Sequence, residues 1–168
     1  MPEYMDHVDE NNLVVGRVSK EDIYKKKLPH RIVHVFVLNP DDGKVYLQKR
    51  SEKVQFLPGY YCTSAGGHVR SGESYENAAK RELKEELGIE ADVHFGTELK
   101  FISDEHIRFI QVFIAYATKG FSFADGEVEN GGFFTLDEAC RLIRDDAKVH
   151  PQLKICLEWL VARDKFKK

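Results

Sequence analysis

Apolar and polar positions alternate with two different periods along this chain, and the switches between them outline its elements. Leu13 to Val18 reads as a short strand behind the turn-forming run Asp9-Glu10-Asn11-Asn12. Ser19 then opens a brief helix over Lys20 to Lys26, with Asp22 where a capping acid belongs. Ile32 to Leu38 is almost continuously apolar and β-branched, which predicts a strand covered on both faces. Asn39-Pro40-Asp41-Asp42-Gly43 predicts a turn, and Lys44 to Arg50 returns as an alternating strand, giving a hairpin. Leu57-Pro58-Gly59 predicts a second turn, ahead of a strand from Tyr60 to Ala65 that feeds Gly66 and Gly67. Val93 to Ile102 and Ile107 to Thr118 read as long antiparallel strands around Asp104-Glu105-His106. Asp125 to Gly132 predicts a glycine-rich acidic loop or strand edge, before a short strand at Phe133-Phe134.

Three longer stretches carry the helical period. Ala78, Ala79, Leu83 and Leu87 make an apolar stripe between Ser74 and Leu87. Ser74 can cap that helix, Glu76 suits its positive end, and Gly88 falls where a left-handed residue closes it. Thr135 and Glu138 predict a capping box for a helix through Arg144. Pro151 starts a last amphipathic helix, with Leu153, Leu157, Leu160 and Val161 inward and Trp159 near the edge. Strands outnumber helices and neither repeat nor linker intervenes, so the pattern predicts one α+β domain with a mixed sheet between helices. In that domain (1–168), 1–30 is an N-terminal strand and helix extension, 31–145 the core and 146–168 a C-terminal helix.

Composition narrows the class without naming the chemistry. The chain has 168 residues, is 42% hydrophobic and 32% charged, and carries a net charge of −3, so no overall basic field recruits nucleic acid. Cys62, Cys140 and Cys156 are odd in number and widely spaced, which argues against a disulfide framework or zinc site and for a reducing compartment. Met1 to Glu10 lacks an apolar signal core, and no run approaches the roughly eighteen apolar residues of a membrane span. A cytoplasmic protein is the expectation.

The chemistry concentrates on the Ser74–Leu87 helix. Glu82, Glu85 and Glu86 stand at i, i+3 and i+4 and share one face, where like charges repel by about 0.2–0.5 kcal/mol per pair. They lie beside the apolar stripe instead of opposite it, unlike a solvated acidic face. A hard divalent cation removes the repulsion, since Mg²⁺ takes a few carboxylates together with water and phosphate oxygens. Arg81 lies between Glu73 and the triplet, and its planar fork can orient a carboxylate. Gly66 and Gly67 let backbone come close to whatever lies over the helix, including an ion that could use a carbonyl oxygen.

From Gly67 to Ile89 the chain has the form G-x5-E-x7-R-E-U-x-E-E-x-G-U, with U aliphatic, met by Gly67, Glu73, Arg81, Glu82, Leu83, Glu85, Glu86, Gly88 and Ile89. This resembles the signature of the Nudix hydrolases. The resemblance covers roughly Ile32 to Arg144 and implies a Nudix-type α/β/α sandwich in which the signature forms a loop-helix-loop. It also implies an Mg²⁺-dependent diphosphate hydrolase, with Mn²⁺ as the alternative ion. The substrate would be a nucleoside diphosphate linked to another moiety, or a related organic diphosphate. Its partner is then a small molecule, with no nucleic acid or membrane, and a homodimer is left open. Carried onto this chain, the ligands of the ion are Glu82, Glu85 and Glu86, with the Gly67 carbonyl as a further candidate. Arg81 orients carboxylates with Glu73 as partner. The general base is a signature glutamate or a loop acid, Glu127 ahead of Glu129, and Lys49 and Arg50 are candidates to hold phosphate.

A second likeness is to the isopentenyl-diphosphate isomerase branch of the same superfamily. It rests on Asp9-Glu10-Asn11, Gly16, Leu57-Pro58-Gly59-Tyr60 and Thr63 to His68. That branch carries a catalytic cysteine where this chain has Gly66. Of its metal-binding histidines, His30 and His68 can be matched, whereas Ile23 stands at the third position and the two later acids fall near His106 and Arg108. Cys62 is displaced by four residues. The isomerase therefore lacks its acid here, and His30 and His68 are expected as satisfied structural histidines, with Cys140 and Cys156 in the core. A binding module that recognises a diphosphate without turnover is the remaining alternative, and an intact signature weighs against it.

Overall fold

The apolar run that begins at His30 lies at the centre of the molecule because it is covered on both faces. The computed structural model describes residues 1–146 and 148–165. In chain order its elements are β1 (Tyr4–Val8), β2 (Val14–Ser19), α1 (Lys20–Lys25), β3 (His30–Leu38), β4 (Val45–Arg50), β5 (Tyr61–Cys62), β6 (Ala65–His68), α2 (Tyr75–Leu87), β7 (His94–Ser103), β8 (His106–Tyr116), β9 (Val128–Phe134), α3 (Leu136–Asp145) and α4 (Pro151–Lys165). Strands β3 to β9 form one mixed sheet, in which β3 runs parallel to β8 and antiparallel to β4 and β6. One face packs Val33, Val35, Val37 and Phe113 against Ala79, Leu83 and Leu87 of α2. The other packs Ile32, Phe36, Leu47 and Ile114 against Leu153, Leu157 and Leu160 of α4. Each such leucine contributes about 1.5–3 kcal/mol by burial, and the expected α/β/α sandwich results.

A fork in the sheet shapes the region under α2. β3 and β4 pair only at Val37–Tyr46 and Leu38–Val45 and then part. The expected hairpin is thus short, and β4 is buried on both faces along Val45–Gln48 instead of alternating. The segment Tyr61–His68 fills the gap, β5 pairing with β4 and β6 with β3, so the strand expected from Tyr60 to Ala65 is two short strands. Ser64 sits at the branch point. Its hydroxyl accepts from the Val37 N–H at 2.7 Å and donates to the Tyr46 carbonyl.

Other differences from the sequence reading have physical causes. β1 was hidden by its acidic flanks and forms by pairing with β2. Asp6 then accepts from Ser71 Oγ at 2.8 Å and from the Gly72 N–H at 3.1 Å, which ties this hairpin to the turn before α2. The glycine-rich stretch, expected as a loop or strand edge, is strand edge from Val128 on, because β9 pairs with β4 from Val45 to Arg50. Gly131 is needed there, since a Cβ would come within 2.6 Å of the Tyr46 ring. The β7–β8 turn uses Asp104 and Glu105 alone, both with positive φ (51° and 61°), the conformation favoured in two-residue hairpin loops. All three cysteines are free, Cys62 and Cys156 buried but Cys140 only half-buried. Among the described residues no helix is long and apolar enough to cross a membrane.

Gly88 ends α2 in the left-handed conformation, φ 69° and ψ 17°, with its N–H on the Lys84 carbonyl. A Cβ there would also lie 3.0 Å from the Ser122 carbonyl oxygen. Gly88→Ala is expected to cost about 1–2 kcal/mol or more, read as a lower urea midpoint, and an unchanged midpoint would contradict this reading of the cap.

Candidate active site

Local sequence fixes where the acids of α2 stand. Ser74 Oγ accepts from the Asn77 N–H at 3.1 Å, and the apolar stripe then sets the rotation of the helix on the sheet. Glu82 and Glu86, one turn apart, flank Leu83 and are almost fully buried at 8% and 4% exposure. Glu85 lies further round, its side chain 43% exposed. Gly67 of β6 makes room for Glu82, and the Gly66 backbone reaches Glu86. Any Cβ on Gly67 would overlap the Glu82 carboxylate, and the Gly66 N–H donates to Glu86 Oε1 at 3.3 Å. From β4, Gln48 Nε2 donates to Glu86 Oε2.

Arg81 gathers the remaining carboxylates. Its Nε and Nη2 donate to the two oxygens of Glu73 at 2.8 and 3.0 Å, a bidentate pair. Nη1 donates to Glu82 Oε1 at 2.8 Å and to Glu85 Oε2 at 3.2 Å, and Nη2 to the His68 carbonyl at 2.9 Å. Burial opposes the Arg81 charge, but Glu73 and Glu82 outweigh it and hold the guanidinium more firmly protonated. Glu73 is likewise partly desolvated, yet donation from Arg81 and the Arg70 N–H keeps its carboxyl below the usual range.

The buried pair behaves oppositely. Burial pushes Glu82 up to about 7 against the pull of Arg81, and burial together with the Glu82 charge pushes Glu86 well up. The metal-free site thus disfavours two full negative charges on this pair. Among the described residues no group of three or more His, Cys, Asp or Glu side chains is arranged to hold a metal ion by itself. The reason is Glu85, whose oxygens turn to Arg81 and, at 3.7 Å, to Arg70. What is brought together is a two-carboxylate, oxygen-only donor set beside a glycine cradle. That set fits a hard divalent ion which keeps water or phosphate in its other positions.

The NUDIX domain model matches residues 28–160. The chain belongs to the Nudix family. An uncharacterized Nudix hydrolase, YfcD of Salmonella typhi, is 32% identical over 165 residues, 97% of this chain and 88% of that protein. Another, from Yersinia pestis, is 40% identical over 103 residues, 61% of this chain and 56% of that protein, so this match spans little more than half of that relative. Among solved structures, the DR0079 protein of Deinococcus radiodurans superposes with a TM-score of 0.82 at 24% identity, covering 93% of this chain and 98% of that one. The MutT Nudix hydrolase of Burkholderia pseudomallei does so at 0.62 and 25% identity, covering 78% and 97%. The chain is therefore a Nudix hydrolase, an enzyme class that cleaves pyrophosphate linkages of small molecules and generally uses divalent ions.

Around this Nudix site the other candidates scatter. Lys49 Nζ lies 3.9 Å from Glu129 Oε2, and Arg50 donates from Nε to the Phe56 carbonyl at 2.9 Å. Glu127 precedes β9 and is exposed. Its N–H donates to Asp125 Oδ1 and its carbonyl accepts from Ser51, and among the described residues no contact joins its carboxylate to the α2 acids. His30 and His68 do not meet the expectation of satisfied structural histidines equally. His68 Nε2 is hydrogen-bonded to the Tyr24 hydroxyl, whereas His30 Nε2 is buried without a partner. Both join His106 and Tyr24 in one ring cluster, with His30 and His106 centroids 4.7 Å apart. Burial lowers His30 to about 4 and His68 to about 3, so these rings are neutral.

The isomerase position is closed. A Cβ on Gly66 would fall 2.6 Å from His34 Nδ1 and 2.9 Å from the Val33 carbonyl, and burial pushes the Cys62 thiol up to about 12. Sequence reasoning missed Gln48, whose place beside Glu86 depends on the fork between β3 and β4. It also missed Tyr24 and His106, which the fold alone brings to His30 and His68.

Proposed function

We propose that this chain hydrolyses the diphosphate linkage of a nucleoside diphosphate joined to another moiety, or of a related organic diphosphate, with Mg²⁺ as the preferred ion and Mn²⁺ as a substitute. The observation that carries this reading is the buried Glu82–Glu86 pair, two carboxylates one helical turn apart with Glu82 packed against Gly67 and Glu86 held by the Gly66 N–H and Gln48. Glu82 and Glu86 are the principal ligands, with Glu85 and the Gly67 carbonyl as further ones. A divalent ion held there would neutralise diphosphate oxygens and acidify a water. Arg81, clamped by Glu73, keeps Glu82 in one rotamer and sets the edge of the site. Glu127 is assigned as general base, an exposed acid just before β9 whose carboxylate has no side-chain partner among the described residues. Lys49 and Arg50, at the end of β4 next to Gln48, are assigned to phosphate oxygens.

The test is a panel of nucleotide sugars, dinucleotide cofactors and deoxynucleotides, incubated with and without Mg²⁺ and assayed for cleavage. Metal-dependent cleavage of at least one diphosphate is the expected result. Tight metal-dependent binding with no cleavage across the panel would replace this reading with a diphosphate-binding module.

A further inference from the structure

Gln48 is more deeply buried than either carboxyl it accompanies, at 2% exposure. Its amide has one consistent orientation. Nε2 donates to Glu86 Oε2 and, at 3.3 Å, to the Ser64 carbonyl, and reversing the amide would set its oxygen against two acceptors. That leaves Oε1 buried with no hydrogen-bond partner. A buried amide oxygen without a donor is costly and rare, and here it belongs to the amide whose other end holds Glu86.

We infer that Gln48 is a positioning residue for the ion, its Nε2 holding Glu86 and its Oε1 accepting a hydrogen bond from a water in the ion's hydration shell. This rests on the cation reading of the Glu82–Glu86 pair. The polarity of each end supports it. A water on a cation directs its lone pairs inward and only hydrogens outward, so its neighbour must be an acceptor. A carboxylate needs a donor, and the amide supplies both from one rigid plane. Burial excludes a large occupant, whereas Mg²⁺ keeps several waters when bound by few carboxylates. Groups that orient the ligands of a metal in this way typically change its affinity 10–100-fold when lost.

Mn²⁺ binding to the whole protein, followed by electron paramagnetic resonance, tests the inference without any substrate. Gln48→Met removes both ends of the amide at similar volume, and binding is expected to weaken by about 10–100-fold. Gln48→Glu keeps an acceptor but no donor, and is expected to bind Mn²⁺ at least as tightly as the wild type. A Met variant that binds like the wild type would overturn the inference, and so would a Glu variant as weak as the Met one, which would reduce Gln48 to a support for Glu86. If circular dichroism shows that the Met variant does not fold, the Glu variant decides alone, a loss of about tenfold or more counting against the inference. Failure of the wild type itself to bind Mn²⁺ would overturn the cation reading beneath it.

Discussion

Glu86→Gln is expected to lower turnover by roughly two orders of magnitude or more, the scale of losing ~3 kcal/mol of electrostatic stabilisation, while the metal-free protein melts at the same temperature or higher. The activity loss follows from removing one of the two buried carboxylates that face the cation site. The preserved stability follows from the raised pKa of Glu86, chiefly through burial, which means that the fold resists its charge. A glutamine matches its shape and brings no charge. Its amide oxygen can accept from Gln48 Nε2 as Glu86 Oε2 does. Steady-state kinetics with the best substrate of the panel and a thermal melt without metal check the two halves. A melting temperature that falls by many degrees would mark Glu86 as a structural residue and remove the basis of the site.

Without divalent ions the protein is expected to lose stability as pH rises through about 7, and a saturating concentration of Mg²⁺ should abolish that slope. The folded-state pKa of Glu82 is raised from 4.5 to about 7, chiefly by burial. The native state therefore binds this proton more tightly than the unfolded chain does. The associated stability is complete below about 4.5 and is lost as pH climbs through about 7, and Glu86, raised in the same direction, adds to the loss. Buried histidines act in the opposite sense at lower pH. His30 and His68, depressed from 6.5 to about 4 and about 3, contribute stability above 6.5 that disappears as pH falls through those values. The carboxyl effect is thus read cleanly above about pH 6.5, where free histidine is already neutral. Thermal melts across that range, with and without Mg²⁺, decide the matter. A flat metal-free curve would show that the pair is not held apart from solvent, and proton release on metal addition should accompany a sloping one.

Much of the site was legible because its determinants are local. The Ser74 cap, the Leu83–Leu87 stripe and Gly88 define α2 within a few residues of one another, and that helix alone places Glu82 and Glu86 on one side. The Arg81–Glu73 pair was legible from the resemblance of the Gly67–Ile89 stretch to the Nudix signature, and the structure shows it as a bidentate contact along the first turns of α2. Glu85 was less legible, since its position next to Arg81 and Arg70 depends on how the pre-helix turn is held by Asp6 of β1. Gln48 and Ser64 could not be placed, because nothing in their neighbourhood announces that β3 and β4 separate after two pairs of residues. The strand over Gly131 and Gly132 was legible only as one of two alternatives, loop or strand edge, for a similar reason. Glycine is poor strand material by propensity, and only the Tyr46 ring lying across it explains its presence.

The hydroxyl of Ser64 has a mechanical consequence for the family of sequences this scaffold can accept. Because a side chain pins β3 to β4 at their divergence, the register of the two strands does not hang on the Asn39–Lys44 turn alone. That turn can lengthen, shorten or change its surface chemistry while the platform beneath the acids stays put. Insertions within Tyr61–His68 have no such tolerance, as they would pull out the pin itself. Change is therefore channelled to the Asn39–Lys44 turn, and the platform beneath Glu82 and Glu86 is insulated from it.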